Sequence, residues 1–163
     1  MPTRAHARVF CETSTWIAVP LASAAWRQRV LLTCALAVTM VSSFKHWQLV
    51  ARGKRSACWH NLDRLGVLLV LLHVEPRAGL ALVLLFALGA VLQRLHAGQL
   101  HFWCHLFCRY VAFWTCCAAS GHTSAFFAKD DRNATVDMCK FAAYSLLYLA
   151  HICAVCNRRD TCC

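Results

Sequence analysis

Five polar side chains beside apolar runs are the residues of this chain whose types and spacing suit chemistry. Ser42 and His46 are four residues apart, Asp63 precedes a second apolar run, and His101 and His105 are again four apart. Residues four apart lie on one face of a helix. Three neutral imidazoles can bind zinc and leave one position for a water molecule, which the metal activates. The pattern predicts a zinc site at the three histidines.

The carboxylate and the hydroxyl complete this predicted site. We expect Asp63 to orient or deprotonate the zinc-bound water. We expect Ser42 to donate a hydrogen bond to the oxyanion that develops on a carbonyl substrate.

The composition indicates that a membrane surrounds these groups. Of the 163 residues 60% are hydrophobic and only seven are acidic, which is too apolar for an ordinary soluble domain. A spanning helix needs roughly 17 to 25 residues. The chain is therefore predicted to be an all-α, polytopic membrane bundle of four to six helices, integral and multi-pass, in an endomembrane or the plasma membrane.

The apolar runs divide the chain into three parts, which are a segment 1–28, a helical domain 29–156 and a basic, cysteine-containing tail 157–163. The runs expected to form helices are 30–44, 65–74, 78–95, 100–118 and 139–155. Between two of them, Glu75-Pro76-Arg77 predicts a tight reversal, because proline suits the first turn of a helix. Segment 1–28 has three interpretations: a secretory signal, an organellar targeting peptide, or an extra helix or interfacial segment, which we prefer slightly.

The net charge of +10 comes from short basic clusters between the apolar runs. Such clusters are typical of positive-inside topology and predict contact with membrane lipid rather than nucleic acid. Counting Lys and Arg with alternating helix directions places the His46 end on the cytoplasmic side. Asn133, in the sequon Asn-Ala-Thr, falls on the opposite side, where we expect glycosylation.

The twelve cysteines include no pair of Cys-x-x-Cys motifs, so neither a zinc ribbon nor a redox centre is predicted. Most are expected to be small buried hydrophobic residues. Cys156, Cys162 and Cys163 flank basic residues at the end of the chain and are candidate lipidation sites.

The segments Val41-Ser42-Ser43-Phe44-Lys45-His46, Leu62-Asp63-Arg64 and His101-x-x-x-His105 resemble motifs of the CREST superfamily. This superfamily includes alkaline ceramidases, progestin and adipoQ receptors and hemolysin-III-like proteins. The resemblance implies a zinc-dependent hydrolase of a lipid amide or ester, with His46, His101 and His105 as ligands and Asp63 and Ser42 beside the bound water. Superfamily members generally have seven helices with the paired histidines on the last, whereas here a further helix follows the pair.

Other interpretations of the same residues stay open. Ser42 also suits helix packing, His46 suits anchoring at the head groups, and Asp63 suits capping of the helix that follows it. In that case the chain is a non-enzymatic membrane scaffold or assembly protein. A second alternative is an electron-transfer protein in which two histidines from neighbouring helices bind haem. Whether the chain is an enzyme is left undecided by the sequence.

Overall fold

The computed structural model describes residues 4–95, 98–121 and 134–157, which form helices joined by turns, with no strand in these ranges. Helix α1, a short 3-10 segment and α2 follow one another with helical backbone angles at both joints, so they form one continuous stretch. The bounds are α1 Arg4–Thr13, the 3-10 segment Ser14–Ile17, α2 Ala18–Trp26, α3 Val30–Ala51, α4 Ala57–Leu71, α5 Pro76–Arg94, α6 Gly98–Ala119 and α7 Ala134–Asn157. The predicted all-α fold is confirmed for the described residues, which form six helical stretches.

Two helices begin five or more residues earlier than the apolar runs predict. Helix α4 begins at Ala57, because the Ser56 hydroxyl accepts a hydrogen bond from the Trp59 amide at 3.5 Å and so caps the first turn. Asp63 therefore lies inside α4, and the interpretation of this residue as the cap of that helix is wrong. Helix α7 begins at Ala134 instead of residue 139.

A turn at residues 72–74 separates α4 from α5, at the place where the reversal is predicted. Helix α4 ends at Leu71 and α5 begins with Pro76. The Glu75 carboxylate accepts a hydrogen bond from the Ala78 amide at 3.3 Å, which satisfies one of the free donors of the first turn. Proline at the first helical position costs no hydrogen bond.

Helix α3 lies at the centre of the bundle and packs against α1, α2 and α4, while α5 packs against α6. The largest core cluster joins side chains from α1, α3, α6 and α7; it includes Val9, Phe10, Trp47, Phe102, Leu106, Tyr148 and Ile152. Phe10 is fully buried. Segment 1–28 was the part of the sequence that was hardest to interpret. In the structure its helix α1 contributes side chains to the largest core cluster.

The crossing of α3 and α4 depends on Gly66. A Cβ atom at this position would lie 2.9 Å from Thr39 Cα and 2.7 Å from Thr39 Oγ1. Backbone cannot yield as a flexible side chain can, so only glycine permits this approach. Such contacts between small residues are typical of helix packing in membranes.

The outward faces of the later helices are strongly apolar. Large hydrophobic side chains are exposed there, including Leu68, Leu72, Leu80, Leu84, Leu88, Phe107, Leu146 and Leu149. Within the described ranges one helix, α3, is long and apolar enough to cross a bilayer by itself, and two shorter apolar stretches occupy Pro76–Leu92 and Cys139–Val155.

Candidate functional site

The two serines that follow one another in α3 have different surroundings. Ser42 is fully buried, and its hydroxyl donates to the carbonyls of its own helix, Val38 at 2.6 Å and Thr39 at 3.2 Å. Ser43 faces the other helices and donates a hydrogen bond to the Asp63 carboxylate. The sequence analysis predicted a site role for Ser42. In the structure the serine that bonds to Asp63 is Ser43.

The three predicted metal ligands belong to two separate pairs of rings, one of which includes a histidine that was not predicted. His101 and His105 have ring centroids 5.7 Å apart on α6. His46 packs instead against His60 of α4, with a centroid separation of 4.9 Å. Trp47 contacts both His46 and His105. His60 had not been singled out from the sequence.

The described residues contain no group of three or more His, Cys, Asp or Glu side chains placed to hold one metal ion. Three ligands about 2 Å from one ion are the usual requirement of a catalytic zinc site. The side chains at positions 46, 101 and 105 do not fit this arrangement in their present orientations. Of these three side chains, His105 alone has one property of a metal-binding side chain, because its buried Nδ1 has no hydrogen-bond partner among the described residues.

Arg109 lies one turn after His105 and reaches across the bundle to α1. Its Nη1 donates hydrogen bonds to the Phe10 carbonyl at 2.8 Å, to Thr13 Oγ1 at 3.2 Å and to Ser14 Oγ at 3.0 Å. Its Nη2 donates to Ser43 Oγ at 3.1 Å. One guanidinium group therefore holds α1, the 3-10 segment and α3 against α6.

The Ser43 hydroxyl connects this cation to an acidic side chain. It accepts from Arg109, donates to Asp63 and lies 3.2 Å from Ser14 Oγ. The Asp63 charge is also within electrostatic range of the guanidinium. We call Arg109, Asp63, Ser43, Ser14 and Thr13 the Arg109 cluster. It links four helical stretches through charge-assisted hydrogen bonds, the stronger class of such bonds.

Aromatic rings close over the cluster. The Arg109 guanidinium carbon lies 5.3 Å from the Phe10 ring centroid and 5.6 Å from that of Trp47. Phe10 also contacts His105, with ring centroids 4.5 Å apart. These distances permit cation–π attraction and surround the charge with apolar side chains.

The remaining sequence predictions are not tested by these contacts. Asn133, Cys162 and Cys163 lie outside the described residues, and so does the side chain of Cys156, whose backbone belongs to α7. A haem held between two histidines stays a prediction.

The sequence contained one signal for the Arg109 cluster. A charged residue inside an apolar helix requires partners, and Arg109 lies in the middle of α6. Its partners Thr13 and Ser14 lie in segment 1–28, for which the sequence left three interpretations open. Their contacts with Arg109 were therefore not predicted.

Comparisons of the chain with protein-family models, with curated proteins and with solved structures find no match.

Proposed function

We propose that the chain is a multi-pass integral membrane protein that acts as a non-enzymatic scaffold. The observation that carries the proposal is the reversal of the usual polarity pattern. Apolar side chains are exposed on α4 to α7, while a charged and hydroxylated cluster lies between the helices. In a bilayer, apolar faces meet lipid and polar groups turn inward to bond with one another.

Helix lengths support this proposal. Helix α3 has 22 residues, enough to cross the hydrocarbon. The apolar stretches Pro76–Leu92 and Cys139–Val155 lie at the lower end of the range that can span. Three crossings of this kind would surround the Arg109 cluster with lipid-facing surface.

The bonding of the polar groups supports a scaffold over an enzyme. Arg109 uses both terminal nitrogens to hold neighbouring helices, and the Ser42 hydroxyl is satisfied by its own backbone. Catalytic groups are held ready to bond with a substrate. Here the four hydrogen bonds of Arg109 join neighbouring helices.

A second candidate function is zinc-dependent hydrolysis of a lipid amide or ester. It is favoured by one observation, that His105 lies within electrostatic range of both His101 and His46. In this alternative the three histidines would hold the ion, and Asp63 and Ser42 would act on the bound water. When bound, zinc would supply an activated water molecule.

The metal content of the detergent-purified full chain decides between the two functions. We would measure it by mass spectrometry for the wild type and for His101→Ala and His105→Ala. The scaffold predicts no stoichiometric metal in any of the three proteins. Zinc near one per chain in the wild type, lost in both variants, would reject the scaffold in favour of the hydrolase.

A further inference from the structure

A cavity of about 230 Å³ opens between α1 and α3, and no member of the Arg109 cluster lines it. Its lining residues are Arg8, Cys11, Glu12, Gln48, Ala51 and Arg52. This volume is smaller than a typical site for a drug-sized ligand, which begins at about 300 Å³. The cavity therefore has room for a small group only, and the charged side chains at its edge decide which group that is.

The two helices line the cavity with the same spacing. On α1 the lining positions are 8, 11 and 12, and on α3 they are 48, 51 and 52. Each set occupies one helical face. The central residue is small in both, and the Cys11 thiol packs against α3, where it donates to the Phe44 carbonyl at 3.6 Å. The small residues Cys11 and Ala51 thus line the bottom of the cavity, which we call its floor, between longer polar side chains.

This floor is uncharged, because burial, reinforced by the neighbouring Glu12 carboxylate, raises the pKa of the Cys11 thiol. The walls carry charges of both signs. The Arg8 and Arg52 side chains are exposed, one on each helix, and Glu12 is half-buried beside them. Guanidinium groups bind phosphate oxygens in a forked, charge-assisted geometry.

Further positive charge surrounds the cavity. The Arg4 guanidinium lies over Gly53, where an added Cβ would meet its Nη2 at 3.2 Å. Lys54 is exposed immediately afterwards. These cations stand at the C-terminal end of α3, the helix that is long enough to cross a bilayer. Cations at such an end attract lipid phosphates.

We infer that this cavity binds the head group of a phospholipid that carries both a phosphate and a primary ammonium. Arg8 and Arg52 hold the phosphate from opposite walls, and Glu12 accepts hydrogen bonds from the ammonium. Gln48 contributes an amide to either group. The assignment rests on the proposed membrane function, which puts the end of α3 at head-group depth.

The test is native mass spectrometry of the full chain in detergent, titrated with phosphatidylethanolamine, phosphatidylglycerol or inorganic phosphate. We expect wild type to bind phosphatidylethanolamine more tightly than phosphatidylglycerol. Arg8→Gln with Arg52→Gln should weaken this binding by about tenfold or more, since charge-assisted bonds are lost. Glu12→Gln should abolish the preference between the two lipids while phosphatidylglycerol still binds.

The matched control is Arg64→Gln with Arg77→Gln, which removes the same net charge from exposed positions outside the cavity. Equal weakening in the control would overturn the inference, because binding would then follow overall charge. Inorganic phosphate binding as tightly as the lipid would overturn the lipid assignment. If the double cavity variant fails to fold, Arg52→Lys replaces it, because lysine keeps the charge and loses the fork; unchanged lipid binding by that folded variant would also overturn the inference.

Failure of this inference differs from failure of the proposed function. A chain that stays in the membrane fraction without preferring phosphatidylethanolamine rejects the head-group site alone. A chain that is stable in water without detergent rejects both.

Discussion

At the scale of single residues, the fold depends on the hydrogen bonds of one half-buried cation. Arg109 places a permanent charge among apolar side chains, and its four hydrogen bonds go to groups from α1, the 3-10 segment and α3. Asp63 balances this charge through Ser43. Removing one member of a paired set costs more than removing both, because the partner is left buried and unpaired.

Arg109→Met should lower the free energy of unfolding by about 3 kcal/mol, since it leaves the Phe10 carbonyl, Ser14 and Ser43 without their donor and removes the positive charge near Asp63. The double variant Arg109→Met with Asp63→Leu should recover part of that loss. Thermal unfolding in detergent, analysed as a double-mutant cycle, measures the coupling. Simple addition of the two single effects would show that cation and carboxylate do not interact.

The adjacent serines give a second, sharper comparison. Ser43→Ala should cost about 1 to 3 kcal/mol, because it leaves a donor of Arg109 and an acceptor of Asp63 unsatisfied. Ser42→Ala should change stability by less than about 0.5 kcal/mol, because its hydroxyl only bonds back to its own helix. The same unfolding measurement ranks them. A larger effect at Ser42 would contradict the assigned roles.

At the scale of elements, the close crossing of α3 and α4 brings Ser43 to Asp63. Gly66→Ala should push the helices apart, since its Cβ would meet Thr39 backbone, and should cost about 1 to 3 kcal/mol. Gly79→Ala is the control, because the nearest atom to its Cβ is a Leu71 methyl at 3.9 Å. Unfolding midpoints of the two variants measure the difference. Equal midpoints would contradict the tight crossing.

The helices also show which parts of the fold could be predicted from the sequence and which could not. Periodicity and hydropathy located the helices from residue 30 onward, because apolar runs and Pro76 leave strong local signals. Segment 1–28 kept three interpretations, with an extra helix or interfacial segment slightly preferred, since the places of Phe10 and Ser14 are fixed only by contacts with α3 and α6. The choice between Ser42 and Ser43 failed for a related reason: adjacent helical positions differ by about 100° in direction, and only packing fixes the rotation.

At the scale of the whole molecule, helices α4 to α7 expose large apolar side chains, while the Arg109 cluster lies between helices inside the bundle. In water, exposed leucines such as Leu72 and Leu146 would favour aggregation, because contiguous apolar patches of that kind rarely face solvent. In a bilayer the same faces are satisfied, and the Arg109 cluster is shielded from lipid by the helices that it joins. The proposed membrane location would therefore account for both features.

Alkaline carbonate extraction of membranes from cells that express the full chain tests this account most directly. We predict that the protein stays with the membrane pellet and is released only by detergent. Recovery in the carbonate supernatant, as a monodisperse protein that needs no detergent, would contradict the membrane bundle.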